Sequence, residues 1–364
     1  MARADGGIKQ KFFIAGVKLL RTFRRPSIVK IYHFLLCLLL VACAAPSPDF
    51  VNGSERTSTT PGAVQSSGDL QTTPVGPGAT PDTLGGNIVR LGDEPREFLP
   101  PSIEPSIPLP PPADVISLPE GTVNVMLLGS DQRGDGKGFR TDTLMFVSFH
   151  PQGDRINVVS IPRDSYVYIP GWSVRRINSA YQFGGLESLA DTMDYNFGVR
   201  PDYFLLVNFD TFKQAIDNLE GIDVKVSAAL EEGDYAVEPG TVHMDGEMAL
   251  WYVRSRYTTS DFERMTRQQE VMMAIFHRLI SADALNKVPQ LYGLYKDSVV
   301  TNIGLGEVLG WVGIARQLAD EADILHTLTL NRDYVTSYKT SSGAQVLLPN
   351  RDLIWQTLSD LLGK

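Results

Sequence analysis

The stretch "VNVMLLGSDQRGDGKGFRTDTLMFVSFH", residues 123–150, sets two apolar runs on either side of a segment crowded with glycine and charge. Short apolar runs bounded by such segments read as buried strands. Asp131 follows directly on the first run and Asp142 opens the second. In an open α/β sheet, ligands collect beyond the carboxyl ends of strands. If the two strands are neighbours, both carboxylates can approach one point. Hard oxygen ligands of this kind suit Mg²⁺ (or Mn²⁺), which adds substrate phosphates and water to one or two carboxylates. The same residues also read as turns and caps of a solvated hairpin loop, and this stretch alone leaves both readings open.

Further along, "INVVSIPRDSYVYIP" reads as a strand running into a loop, and "GLESLADTMDYNFG" as a helix closed by Gly198. The strand "DYFLLVNF" follows. "DTFKQAIDNLEG" is a helix with Asp210 as its expected N-cap and Gly221 at its end, and "IDVKV" is a strand. "DFERMTRQQEVMMAIFHRLI" is a long helix whose Met265, Met272, Ile275 and Leu279 fall on one buried side. "LGEVLGWVGIARQLAD" gives another helix and "ILHTLTL" a late strand. This order predicts a three-layer α–β–α sandwich with one mixed central sheet, formed by residues 118–364 without internal repeat.

A second set of charges falls inside this pattern. "SIPRD" places Arg163 and Asp164 just after a strand, and "YVRSRYTTSDFERMTRQQ" adds Arg254, Arg256, Arg264 and Arg267. Arg264 and Gln268 are four residues apart and share a helix face, while Arg267 points elsewhere. Asp261 is the expected N-cap, and the helix start offers N–H groups to an anion. Guanidinium forks bind phosphate oxygens in bidentate fashion. A solvated face of surface ion pairs is the bland alternative, but these arginines are interleaved with apolar residues.

The net charge of −9 hides a split. Residues 1–43 carry eight Lys or Arg against one acid, Asp5, and the remaining residues 25 basic against 41 acidic. An acidic body argues against a nucleic-acid partner. After the basic end comes "IYHFLLCLLLVAC", an apolar run nearer a signal-peptide h-region than the ~20 residues of a membrane span. "LVAC", Leu40 to Cys43, resembles a bacterial lipobox in which Cys43 is lipidated. An uncleaved signal anchor over residues 28–45 and simple secretion are the alternatives. All three put the body outside the cytoplasmic membrane, because the basic flank stays inside. Both cysteines, Cys37 and Cys43, lie in this segment, so the exported body has no disulfide and no thiol nucleophile. Residues 44–117 are rich in Ser, Thr, Pro and Gly and read as a disordered tether. It would reach on the order of 50 Å, with "LPPSIEPSIPLPPPA" stiffening its far end as polyproline II.

Other chemistries are absent from the sequence. The five histidines show no zinc spacing, there is no nucleophile-elbow serine, and "GSDQRGDGKG" lacks the strand–GxGxxG–helix context of a dinucleotide site.

Taken in order, "NVMLLGSDQR", "RTDTLMFVSF", "VVSIPRDSYVYIP", "RINSAYQFGG", "NLEGIDVKV" and "MALWYVRSRYTTSDFERMTRQQ" resemble the LytR–CpsA–Psr family of bacterial envelope enzymes. The resemblance implies a membrane-tethered α–β–α sandwich facing outward. It implies transfer of a glycan polymer from a polyprenyl-pyrophosphate carrier to a peptidoglycan acceptor, with Mg²⁺ assistance. It implies Asp131 and Asp142 as metal ligands, with Arg133 and Arg140 beside them. Arg163, Arg256, Arg264 and Gln268 match positions that hold the pyrophosphate, Arg254 belongs to the same arginine set, and Asn178 lies in the next motif. Asp164 and Asp261 are the candidates to take a hydroxyl proton. Glu263 departs from the family, which typically has glycine there. The family also encloses the prenyl tail in an apolar tunnel, for which Met272, Ile275 and Phe276 are candidate linings. Two alternatives need much of the same site: a polyprenyl-pyrophosphate hydrolase, and a non-catalytic envelope protein that only binds prenyl lipid.

Overall fold

The computed structural model describes residues 96–130, 141–150, 155–256, 260–279, 299–318 and 324–363. The strands are β1 (Val123–Ser130), β2 (Thr141–Phe149), β3 (Ile156–Ser160), β4 (Tyr166–Ile169), β5 (Ser173–Arg176), β6 (Tyr203–Asn208), β7 (Ile222–Val226), β8 (Leu230–Glu232), β9 (Tyr235–Val237), β10 (Gly240–Met244), β11 (Val300–Thr301), β12 (Leu325–Thr329), β13 (Val335–Lys339) and β14 (Gln345–Pro349). The helices are α1 (Ala180–Phe197), α2 (Phe209–Asn218), α3 (Gly246–Arg254), α4 (Asp261–Leu279), α5 (Leu305–Leu318) and α6 (Arg351–Leu362).

Six strands pair in the order β11-β6-β1-β2-β3-β12. β1 is parallel to β6 and antiparallel to β2, β2 is antiparallel to β3, and β3 is parallel to β12. The expected three-layer sandwich with a mixed central sheet is therefore the observed one. Successive strand residues point to opposite faces. Val125, Val147, Val158 and Leu205 pack under α2, α3, α4 and α5, with Ile216, Tyr252, Ile275 and Val308. Met126, Phe146, Val159 and Phe204 pack under α1 and α6, with Leu189, Phe197, Ile354 and Leu358.

Several local expectations change. The polyproline-rich segment does not stand off as the stiff end of a tether: residues 96–117 run across the α1 and α6 side as a strap. Arg96 pairs with buried Asp194 at 2.6 Å. Ala113 N–H donates to Tyr195 O, Ile116 N–H donates to Gly198 O, and Trp355 Nε1 donates to Asp114 O. Ile116 is buried. A proline-rich chain has few N–H groups to satisfy, so most of this docking uses its carbonyls as acceptors for Tyr195, Arg351 and Trp355. Gly198, at φ 70°, closes α1 as expected; a Cβ there would lie 2.0 Å from Asp114 O, so the same glycine lets the strap pass. The "YVYIP" loop is in fact the first strand of a hairpin, β4 and β5, turning through Pro170 and Gly171. The N-cap of α2 is Asn208, which has extended backbone and accepts from Thr211 N–H; Asp210 lies inside the first turn. The expectations for residues 1–43, and for most of the tether, lie outside the described residues, as does the second half of the metal pair, Asp131, with Arg133 and Arg140.

Candidate functional site

β1, β3, β6 and β12 run in one direction and end at one edge of the sheet, where β2 begins. Ser130 pairs with Thr141 there, so the end of β1 lies beside the start of β2, which carries Asp142. Arg163 lies three residues beyond the end of β3. A short 3₁₀ turn, Ile177–Ser179, braces both: Thr141 Oγ1 donates to Asn178 O at 3.1 Å, and Asn178 N–H donates to Arg163 O at 3.3 Å.

Around Asp142 three guanidinium groups meet. Arg163 Nη1 donates to Asp142 Oδ1 at 2.8 Å, and Arg256 Nη2 lies 3.7 Å from Asp142 Oδ2. Arg163 also lies 3.6 Å from Asp164 and 3.6 Å from Asp261, whose other oxygen is 2.8 Å from Arg264 Nη1. Asp164 is held on its far side by Arg176 at 2.9 Å. Burial opposes the charge on Arg163, but Asp142, Asp261 and Asp164 together hold its pKa above the ordinary arginine value. Burial, with Arg163 and Arg256 nearby, holds Arg264 below it despite Asp261. Arg264 Nη1 and Arg163 Nε are buried N–H groups with no aligned hydrogen-bond acceptor. Arg163 and Arg264 line a small cleft together with Asp142, Asp164, Asp261 and Gln268.

Gln268 also lines a second, apolar cavity of about 160 Å³ between the sheet and α4. Met145, Val158, Leu205, Val271 and Ile275 form its walls, with Met272 and Phe276, so all three expected lining residues of α4 are in place. Arg254 lines this cavity rather than the cleft. Its guanidinium stacks 4.2 Å above the Phe209 ring. Asn178 reaches the site through its backbone and lines neither cavity.

The start of α4 differs from expectation. Its N-cap is Ser260, whose Oγ accepts from Glu263 N–H at 3.3 Å while Ser260 N–H donates to the Glu263 carboxylate at 2.5 Å. This is a capping box, and these bonds hold the Glu263 carboxyl below the usual carboxylate range. Asp261 is thus the first helical residue, and part of the N-terminal N–H set offered to an anion is already taken. Arg267 turns away from the cleft, as the helical spacing requires. Its Nη2 donates to Ser255 O at 2.7 Å.

Three supporting residues carry no local sequence signal. Gln269 donates to Ser160 Oγ and Leu328 O, tying α4 to the ends of β3 and β12. Glu232 receives Ser255 Oγ and Arg256 N–H. Arg176 braces Asp164. Only the Pro170–Gly171 turn signal, which implies a returning strand, could have found Arg176.

The LytR_cpsA_psr family model matches residues 106–359, most of the chain. The chain belongs to this family. The polyisoprenyl-teichoic acid–peptidoglycan teichoic acid transferase TagU of Oceanobacillus iheyensis is 32% identical over 194 residues, 51% of this chain and 60% of that protein. The regulatory protein MsrR of Staphylococcus aureus is 29% identical over 247 residues, 67% of this chain and 75% of that protein. The structure of TagT bound to LIIa-WTA superposes with a TM-score of 0.55 at 25% identity, covering 67% of this chain and 90% of that one.

Among the described residues of this LytR_cpsA_psr domain, no group of three His, Cys, Asp or Glu could hold a metal. Asp142 is a partly exposed carboxylate at the cleft, the kind of hard-oxygen donor of which Mg²⁺ takes one or two, with Arg163 and Arg256 against its two oxygens.

Proposed function

We infer that this domain transfers a glycopolymer from a polyprenyl-pyrophosphate carrier to peptidoglycan. The observation that carries the reading is the convergence of Arg163, Arg256 and Arg264 on Asp142 and Asp261 at one cleft, beside an apolar cavity that shares Gln268. A pyrophosphate bears charge for the first and a prenyl chain fills the second. The name of TagU, and TagT with its bound LIIa-WTA, support the same substrate class.

The chemistry is phosphoryl transfer without a covalent intermediate. A sugar hydroxyl of peptidoglycan attacks the phosphorus nearer the glycan. A P–O bond forms, the bridging P–O bond breaks, and polyprenyl phosphate leaves. Arg163 and Arg264 meet the developing charge from within the protein, and the more exposed Arg256 closes on it from the rim. Arg133, Arg140 and Arg254 complete the proposed arginine set, Gln268 stands at the junction of head and tail, and Asn178 braces the wall. Of the two candidates for the hydroxyl proton, Asp261 is the more open to the cleft mouth, while Asp164 is held between Arg163 and Arg176. Asp142, with Asp131, would hold Mg²⁺ (or Mn²⁺), which supplies further neutralisation of phosphate charge when bound. Anchoring at the outer face of the cytoplasmic membrane, by lipid at Cys43 or by residues 28–45, rests on the N-terminal sequence; no described helix is long and apolar enough to cross a membrane.

The test is incubation of the full chain with a polyprenyl-pyrophosphate-linked glycan, with and without peptidoglycan, and with and without a chelator. Glycan joined to peptidoglycan through a phosphodiester, dependent on the acceptor and lost on chelation, is the expected result. Release of free glycan phosphate at the same rate without acceptor would make the protein a hydrolase. Binding without turnover would make it a lipid-binding protein.

A further inference from the structure

Arg256 is the least buried of the three converging arginines, its side chain 58% exposed, and its guanidinium reaches Asp142 only at 3.7 Å. A long side chain so loosely held takes its direction from its backbone. That backbone is fixed at one turn. Ser255, the residue after α3, leaves helical conformation at φ −51°, ψ 136°, and every polar group around it is engaged. Ser255 N–H donates to Trp251 O at 2.9 Å, and its carbonyl accepts from buried Arg267 at 2.7 Å. The Ser255 hydroxyl and Arg256 N–H, the latter at 3.2 Å, both donate to one carboxylate oxygen of Glu232. Glu232 sits at the end of β8, on a hairpin outside the central sheet, and its own carbonyl accepts from Trp251 Nε1 at 3.0 Å.

We propose that Glu232 is a positioning residue for Arg256: its carboxylate locks the turn from α3 so that Arg256 faces the cleft before substrate arrives. This rests on the transferase reading of the cleft. A carboxylate suits the task because its bonds to N–H and O–H are charge-assisted, and because its charge also offsets that of Arg267 beneath the same turn. Pre-setting the backbone removes part of the ordering that would otherwise oppose catalysis.

The experiment is a double-mutant cycle on the full chain with Glu232→Ala, Arg256→Ala and their combination. It is read as kcat and KM for the lipid-linked donor and as affinity for inorganic pyrophosphate. Glu232→Ala is expected to lower kcat about 10-fold with KM changed less than about twofold, since small misplacements at a reacting centre cost up to about 100-fold. The double variant should be no slower than Arg256→Ala alone, because the two act as one unit. Glu232→Gln, which keeps an acceptor oxygen, should recover at least about a third of the wild-type rate. Should the alanine variant fail to fold, Glu232→Asp repeats the cycle with a loss of about threefold. Wild-type kcat and pyrophosphate affinity in Glu232→Ala, or losses that multiply in the double variant, overturn the proposal. If the wild type transfers nothing, the transferase reading fails instead, and the pyrophosphate cycle alone decides the role of Glu232.

Discussion

Replacing Arg264 by methionine separates catalysis from folding. Its side chain is 5% exposed and its guanidinium lies 2.8 Å from Asp261. Removal of one pre-organised charged donor from such a site lowers turnover by about 10²–10³-fold, about 3–4 kcal/mol of transition-state stabilisation. The cost to the fold is far smaller. Asp261 is 42% exposed, so its pair with Arg264 is screened by solvent and contributes about 0–1 kcal/mol. Opposing that loss, the repulsion from Arg163 and Arg256 disappears and methionine keeps the apolar stem. Net stability should change by less than about 1 kcal/mol, a melting shift of about 2–4 °C for a domain of this size. The assay is the rate of transfer to peptidoglycan, with thermal unfolding on the same preparation. Transfer at a third of the wild-type rate or more would refute the arginine clamp. A loss of turnover accompanied by a melting shift above about 10 °C would assign Arg264 to the fold.

The strap makes a second prediction: a chain beginning at Leu118 should be about 3–5 kcal/mol less stable to urea than one beginning at Arg96. Burial of Ile116 and the acceptors for Tyr195, Arg351 and Trp355 are lost together; equal midpoints would show that the strap only lies on the surface. Arg96→Ala should cost about 3 kcal/mol at pH 7, because it strips a buried carboxylate of its partner. Burial already raises the pKa of Asp194 against the pull of Arg96, and the variant raises it further. A carboxyl whose folded pKa is raised binds more protons folded than unfolded, so its penalty grows as pH rises through the window above its ordinary value. The deficit of the Arg96→Ala variant should therefore shrink as pH falls from 7 towards 4, measured by urea midpoints across that range; a constant deficit would uncouple the two residues.

The layers of the fold were legible because their signals are local. β1, β2 and β6 are built on apolar runs, and Met265, Ile275 and Leu279 repeat at helical spacing. The four arginines around the α3–α4 junction were visible for the same reason. What escaped was set by pairing between distant segments. β5 is a four-residue strand with two arginines, recognisable only as the partner of β4. The strap reads as a disordered linker by composition, and its docking depends on acceptors offered to α1 and α6, about 80 to 240 residues away. Arg254 and Arg256 are two residues apart, yet one lines the apolar cavity and the other reaches towards Asp142 from the rim of the cleft, because the helix ends between them at Ser255. Glu232 and Gln269 look like ordinary surface and helix residues until their partners are placed.

With Ser260 and Glu263 exchanging bonds, and two acids in the first turn of α4, the positive end of that helix is largely spent within the protein. Attraction for an anion at the mouth then comes from mobile-ion-screened guanidinium charge rather than from backbone N–H groups. Added salt weakens such attraction, whereas excluded salts such as sulfate strengthen apolar burial in the neighbouring cavity. The head and the tail of one ligand should thus respond to ionic strength with opposite sign. A short-chain pyrophosphate would dissociate more readily as salt rises, and a long prenyl chain would hold on through the part of it that carries no charge.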